Sequence, residues 1–310
     1  MVSEPIQPEK LMKAYYNDIF VLPLPDGHRF PMSKYRLLRE RIIAKDIIES
    51  ENLLIPDGAS DEQILYCHTA DYLEKVKNGT LERKEITRIG FPWSLELVER
   101  SRRSSGATIC ATRTAIAEGV SANLAGGTHH AGRDFGAGYS VFCDSGIAAR
   151  VMQAENLAER VAIIDCDVHQ GNGTADVTQD DDSIFAFSIH GERNFPFRKI
   201  SGDLDIGLAD NTGDSEYLET LEIAVERILY MFQPDLVIYQ SGADPYIGDK
   251  LGKLALTKEG LAQRDRLVLE MCRSEDIPVA VTMGGGYAEN VNDIVDIHAQ
   301  TIRIATEFIR

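Results

Sequence analysis

The chain has 310 residues, 44% hydrophobic and 26% charged, a globular composition whose length alone would admit one large α/β domain or two smaller ones. Its formal net charge of −17 argues against a nucleic-acid surface, which would repel phosphates, and is compatible with cationic substrates such as lysine-bearing tails or polyamines. No apolar run approaches the roughly 20 residues that cross a bilayer, and residues 1–18 lack a signal peptide's apolar core, so a cytoplasmic location with no membrane partner is expected.

Apolar runs bounded by turn residues predict strands at 19–22, 122–126, 161–166, 183–189, 235–242 and 277–283. Several are apolar at every position, as strands covered on both faces are. Amphipathic stretches predict helices at 33–50, 69–77, 94–119, 144–158, 215–232, 258–274 and 288–309. The PDG at 25–27 and the segment 191–213 read as loops. No repeat, low-complexity segment or linker interrupts the alternation, so one domain over 1–310 is expected. The fold class is α/β, a three-layer α/β/α arrangement with a mostly parallel central sheet.

Five cysteines, Cys67, Cys110, Cys143, Cys166 and Cys272, show no C-x-x-C spacing and read as reduced thiols. Cys166 stands between two aspartates on a predicted strand, so its side chain faces away from theirs and serves packing.

The residues with chemistry follow predicted strand ends. His129 and His130 lie in GGTHHAG after 122–126, and Asp165, Asp167 and His169 in IIDCDVHQGNG at the end of 161–166. Asp244 lies in SGADP after 235–242, and Tyr287 closes the GGGY after 277–283. In open α/β sheets ligands bind beyond the carboxyl ends of strands, so four separate segments can converge. Asp165, Asp167 and His169 alternate on one strand face. Asp167, His169 and Asp244 are assigned as metal ligands; two oxygens and one nitrogen suit zinc or ferrous iron.

Asp165 is placed behind His129, where a carboxylate orients an imidazole and raises its basicity. Adjacent histidines in different hydrogen-bond environments hold different protonation states, so one serves as base and the other as electrostatic partner. Asn172 can accept from one imidazole N–H without adding charge. Gly126 and Gly127 permit close backbone approach to a ligand, and Tyr287 can swing over a bound carbonyl. Such a set suits amide hydrolysis, with an ion polarising the carbonyl and acidifying water, histidines moving protons and a phenol steadying the oxyanion. Dinucleotide, P-loop and nucleophile-elbow motifs are absent from the sequence.

These residues resemble the zinc-dependent histone deacetylase family over nearly the whole chain. GHRFPMSKY (27–35), IGFPWSLELVERSRRSSGATI (89–109) and NLAGGTHHAG (123–132) are similar to its class IV branch. The resemblance implies the arginase/deacetylase-like fold, hydrolysis of an acylated lysine side chain, and metal ligation by Asp167, His169 and Asp244. It implies catalytic roles for His129, His130 and Tyr287, with Asp165 and Asn172 as dyad partners; class I members have aspartate at the latter position. The substrate tunnel it implies involves Gly138, Tyr139, Phe195, Leu251 and Gly285. A structural potassium ion would use backbone oxygens of Asp165, Asp167 and His169 together with Ser188. Gly171 stands where arginases carry a further metal-binding aspartate, so one catalytic ion is expected. Tyr139 and Cys143 depart from the usual phenylalanine and asparagine, which bears on substrate identity. Acetylpolyamines, small amides and long-chain acyl-lysines are alternative substrates. A non-catalytic acyl-lysine binding module is the rival class, opposed by the completeness of the set.

Overall fold

The strands read at 161–166, 183–189, 235–242 and 277–283 are present, whereas the one read at 122–126 is displaced to 120–123. In the computed structural model, which describes residues 11–310, the strands are β1 (Ala14–Tyr15), β2 (Leu53–Leu54), β3 (Val120–Asn123), β4 (Val161–Asp165), β5 (Ile184–Gly191), β6 (Leu204–Leu208), β7 (Leu236–Gln240) and β8 (Val279–Thr282). The reading of residues 1–18 lies partly outside the described residues. Every strand pair among the described residues is parallel, in the order β2-β1-β3-β8-β7-β4-β5-β6. Residues of β3, β4, β7 and β8 are buried throughout, as the central strands of a sheet covered on both sides must be.

The helices are α1 (Lys34–Ala44), α2 (Asp61–Leu65), α3 (Ala70–Asn78), α4 (Arg83–Ile89), α5 (Leu95–Glu118), α6 (Asp144–Ala154), α7 (Asn172–Thr178), α8 (Asp214–Phe232), α9 (Lys258–Ser274) and α10 (Val291–Ala305). One layer runs through α5, α6 and α7, and the other through α8, α9, α10 and α1. The longest helix, α5, starts where Ser94 Oγ accepts the Leu97 N–H at 3.1 Å. It stops at Gly119, whose φ of +92° suits glycine. On the face of this helix turned away from β3, a Cβ at Gly106 would lie 1.8 Å from the Asp57 carbonyl oxygen, so the 57–59 segment packs directly on the helix backbone. Asn123 at the end of β3 donates from Nδ2 to Ser104 O and Thr108 Oγ1, which ties sheet to helix.

Several elements differ from the sequence reading. The run 19–22 is not a strand: Asn17 Oδ1 accepts the Ile19 N–H at 3.0 Å and starts a 3₁₀ turn over Asp18–Phe20. The predicted loop 191–213 contains β6, an edge strand whose Leu204, Ile206 and Leu208 are more buried than the exposed Asp205 and Gly207. Helix 33–50 ends at Ala44, and the two-residue strands β1 and β2 and the short α2, α4 and α7 were not anticipated.

Sequential strands β3 and β4 are separated in the sheet by β8 and β7, so the central quartet is β3-β8-β7-β4. All four run the same way and deliver their carboxyl ends to one rim.

Candidate active site

That rim collects the chemistry-bearing residues. Two glycine-rich loops cross there: a Cβ on Gly127, which has φ of +71°, would lie 2.5 Å from Gly284 Cα. Asp144, at the start of α6, fixes the first loop. Its carboxylate accepts from Thr108 Oγ1 at 2.6 Å, from the Gly127 and Thr128 N–H groups at 3.0 and 2.7 Å, and from Thr128 Oγ1 at 2.7 Å. The loop leads straight into His129 and His130, whose rings lie 4.0 Å apart, both buried. The His129 carbonyl accepts the Gly173 and Thr174 N–H groups, so α7 docks on the same turn.

The two rings have different partners. His129 Nδ1 lies 2.6 Å from Asp165 Oδ2, and His130 Nδ1 lies 2.7 Å from Asn172 Oδ1. Burial works against a charged His129, but Asp165 and Asp167 outweigh it and raise the ring to about 9. Burial pushes the Asp165 carboxyl up as well, and the short contact holds one proton between them. Burial lowers His130 well below the usual histidine value, helped by the positive charge of His129 and His169. A cationic and a neutral imidazole therefore stand side by side.

Beneath them, Asp167 Oδ1 and Asp244 Oδ2 approach His169 Nδ1 at 3.0 and 3.1 Å, and one ligand atom from each residue lies within 4.8 Å of the others. Asp167 Oδ1 is also 3.8 Å from His129 Nε2. The outer carboxylate oxygens are anchored by backbone: Gly285 N donates to Asp167 Oδ2 at 2.7 Å, and Val168 N to Asp244 Oδ1 at 2.9 Å. A Cβ on Gly285 would lie 1.9 Å from Asp244 Oδ2, so only glycine closes this cradle.

Burial, then the charge of Asp167, raises the Asp244 carboxyl to about 7. Two buried carboxylates face a single imidazole, so the cluster carries more negative than positive charge, and a divalent cation would offset it. Their oxygen–nitrogen donor set fits zinc or ferrous iron.

Aromatic side chains wall the approach. The Tyr287 ring lies 6.2 Å from His169 and 6.0 Å from both Phe30 and Tyr139. Burial, then Asp244 and Asp167, holds its phenol well above 10, so it carries its proton. Phe195 meets His130 edge-on at 4.9 Å. Gly138 lies between these two rings, where a Cβ would come 2.4 Å from His130 Cδ2. Leu251 is more than one-third exposed, and its carbonyl accepts Asn194 Nδ2 at 2.7 Å. Ser188 is the register partner of Asp165, its Oγ 3.0 Å from His190 Nδ1. Cys166 is buried away from the three ligand-type residues, its thiol pushed up to about 12 by burial.

Four further residues escaped the sequence reading. Gln240, at the end of β7, places its amide 2.8 Å from His129 Nδ1. Arg264 in α9 is fully buried and donates to the carbonyls of Cys166, Ser241 and Gly242 at the ends of β4 and β7, while pairing with Asp265 at 2.8 Å. Lys34 is buried, donates to the Gly284 carbonyl at 3.1 Å and stands over the rings of Phe30, Tyr35 and Tyr287. Asp249 accepts the Tyr287 N–H at 2.6 Å. An aspartate following Asp244 by five residues was the one signal within reach; the others depend on tertiary contact.

A parallel sheet whose central strand ends gather a ligand-type triad, a histidine pair and a phenol in one cleft defines a site suited to hydrolytic chemistry. The histone deacetylase domain matches residues 28–302. An uncharacterized protein of Picosynechococcus is 42% identical over 94% of this chain and 97% of its own length. Histone deacetylase 2 of Arabidopsis thaliana is 28% identical over 92% of this chain and 76% of its own. Among solved structures, the HDA15 HD domain superposes with a TM-score of 0.80 at 20% identity, covering 96% of this chain and 89% of that one, a likeness of fold. The chain belongs to the histone deacetylase family. Membership supports a deacetylase activity, a hydrolase acting on an acylated substrate. No helix among the described residues is long and apolar enough to cross a membrane.

Proposed function

We propose that this protein is a metal-dependent, cytoplasmic single-domain deacylase that removes acetyl groups from lysine side chains, with Asp167, His169 and Asp244 holding the ion. The observation that carries this reading is the convergence of their ligand atoms within 4.8 Å below a histidine pair of unlike partners. A bound zinc or ferrous ion would polarise the acyl carbonyl and acidify a water. The related potassium site would lie among backbone oxygens of Asp165, Asp167 and His169 with Ser188, and it would be structural.

His130, neutral and buried, takes the proton of the attacking water at Nε2 while Asn172 holds Nδ1. His129, cationic through Asp165, stabilises the negative charge that develops beside it and can supply a proton toward the leaving amine. Tyr287 donates its phenolic proton in a hydrogen bond to the acyl oxygen. Gly138, Tyr139, Phe195 and Leu251 would line the path of the lysine methylenes, which need apolar walls, and Gly285 leaves the floor open.

The cavity at the base, bordered by Thr128, His129, His130 and Tyr287, is about 30 Å³. Room of that size suits an acetyl methyl, and acetylpolyamines and small acetamides are compatible with it as well. The test is acyl release from lysine peptides of graded acyl length alongside acetylated polyamines, using ion-loaded protein. Acetyl-lysine peptides should be turned over fastest; failure to release acid from any amide would refute the deacylase reading.

A further inference from the structure

Three segments border the aromatic approach. Residues 26–30 end in Phe30, which packs on Tyr139 at 5.0 Å and Tyr287 at 6.0 Å. Residues 192–199 carry Phe195 against His130, with Phe197, 90% exposed, edge-on to Phe195 at 6.4 Å. Residues 249–253 start at Asp249, which holds the Tyr287 N–H. Asn194 staples the last two together, donating to Leu251 O at 2.7 Å and accepting from Lys253 N at 3.2 Å.

These segments invert the charge of the chain. They hold six lysines and arginines against three carboxylates, in a protein of net −17. One carboxylate, Asp249, is consumed by the N–H groups of Leu251, Gly252 and Tyr287. Asp26 and Glu192 are exposed. Among the cations, Arg193 reaches Asp210 at 3.7 Å, and Lys199 donates to the carbonyls of Asn194 and Pro196. Arg29, Arg198, Lys250 and Lys253 are exposed and make no ion pair among the described residues.

We propose that the acylated substrate carries a carboxylate beside its acyl-lysine arm, which the exposed Arg29, Arg198 and Lys250 on these three bordering segments recognise. This rests on the deacylase reading above and narrows its substrate class, away from polyamines. The rest of the protein's negative charge does not cancel the rim, because charges beyond about 8 Å are largely screened at physiological ionic strength.

A carboxylate could come from an acidic neighbour in a peptide or from the α-carboxylate of a free acyl-lysine. At about 0.15 M salt, kcat/KM would be measured for acetyl-lysine peptides flanked by Glu or by Lys, and for Nε-acetyl-lysine against its methylamide. Wild-type protein should prefer the carboxylate-bearing member of at least one pair by several-fold, and which pair responds identifies the source. Arg29→Gln, Arg198→Gln and Lys250→Gln should each erode that preference by about two- to threefold, as expected for exposed charge pairs. The triple variant should erase it. Equal rates, or faster hydrolysis of Lys-flanked peptides, would overturn this inference while leaving the deacylase reading intact. Hydrolysis of none of them would overturn both.

Discussion

Asp249 Oδ2 accepts the backbone N–H of Tyr287 at 2.6 Å, while its other oxygen takes the N–H groups of Leu251 and Gly252 at 2.8 and 2.9 Å. One carboxylate thus sets the phenol's loop relative to the rim. Asp249→Ala should lower kcat about tenfold or more by loosening Tyr287, since misplacing a transition-state donor is costly. Asp249→Asn, which keeps one acceptor oxygen, should recover part of that loss. Steady-state kinetics on an acetyl-lysine peptide would measure both, and unchanged kcat in Asp249→Ala would remove this residue from the machinery.

Tyr287→Phe should cost about 10²–10³ in turnover, the usual loss for one oxyanion donor. Binding of a hydroxamate that chelates an ion should weaken far less, because the phenol acts mainly in the transition state. Comparable losses in both measurements would assign Tyr287 to substrate binding instead.

The unlike partners of the histidine pair have a pH consequence. His130 is held below the usual histidine value by burial and by the charge of His129, so it stays a free base through neutral pH. Asn172→Asp places a carboxylate against Nδ1 and favours the protonated ring. Its pKa then rises, and the acidic limb of the pH–kcat/KM profile should move to higher pH. His130→Ala should nearly abolish turnover, with a measurable remnant in His129→Ala. The reverse ranking, or an unmoved limb, would mean the two roles are exchanged.

Arg264 bears on stability. Its guanidinium satisfies three strand-end carbonyls and Asp265, which also accepts from Tyr239 Oη and Thr301 Oγ1 at 2.6 Å each. Arg264→Leu leaves a buried carboxylate uncompensated and should destabilise the fold by about 3–5 kcal/mol. Denaturant unfolding would read this directly; a midpoint within error of wild type would show that the network carries little.

The legible parts of this protein were those with local signals. Strands β4, β7 and β8 are apolar up to their last residue, Asp165 ends β4, and Asp167, His169 and Asp244 follow the ends of β4 and β7, so the fold class and the set of residues that meet at the rim could both be read. β3, Val-Ser-Ala-Asn, overlaps the run read at 122–126 only at Ala122 and Asn123, because its Ser121 and Asn123 are polar and the apolar run continues into the loop. IFVL at 19–22 misled because the Asn17 side chain caps a 3₁₀ turn before any strand partner is reached. β1 and β2 have two residues each, too few for periodicity to register. In β6 the alternation of Leu204, Ile206 and Leu208 with Asp205 and Gly207 was present, but loop residues surround it. Lys34 opens a helix, where lysine ordinarily faces water; only packing against Phe30, Tyr35 and Tyr287 reveals its burial. Gln240 acquires meaning only when β7 is laid beside the loop that carries His129.

The Gly285 backbone tests the cradle itself. A Cβ there would fall 1.9 Å from Asp244 Oδ2 and 2.7 Å from Asp167 Oδ2. Gly285→Ala should therefore weaken affinity for zinc by tenfold or more in calorimetric titration, with far-UV circular dichroism preserved. Wild-type affinity would show that the loop can retreat.

Ion dependence is the most direct measurement of all. Protein stripped by a chelator would be titrated with Zn²⁺ or Fe²⁺ while acetate release from an acetyl-lysine peptide is followed. Turnover should be absent before addition, rise to a plateau at one ion per chain, and fail to return in Asp244→Ala. Undiminished hydrolysis after stripping, or full recovery in Asp244→Ala, would contradict a metal centre built by Asp167, His169 and Asp244.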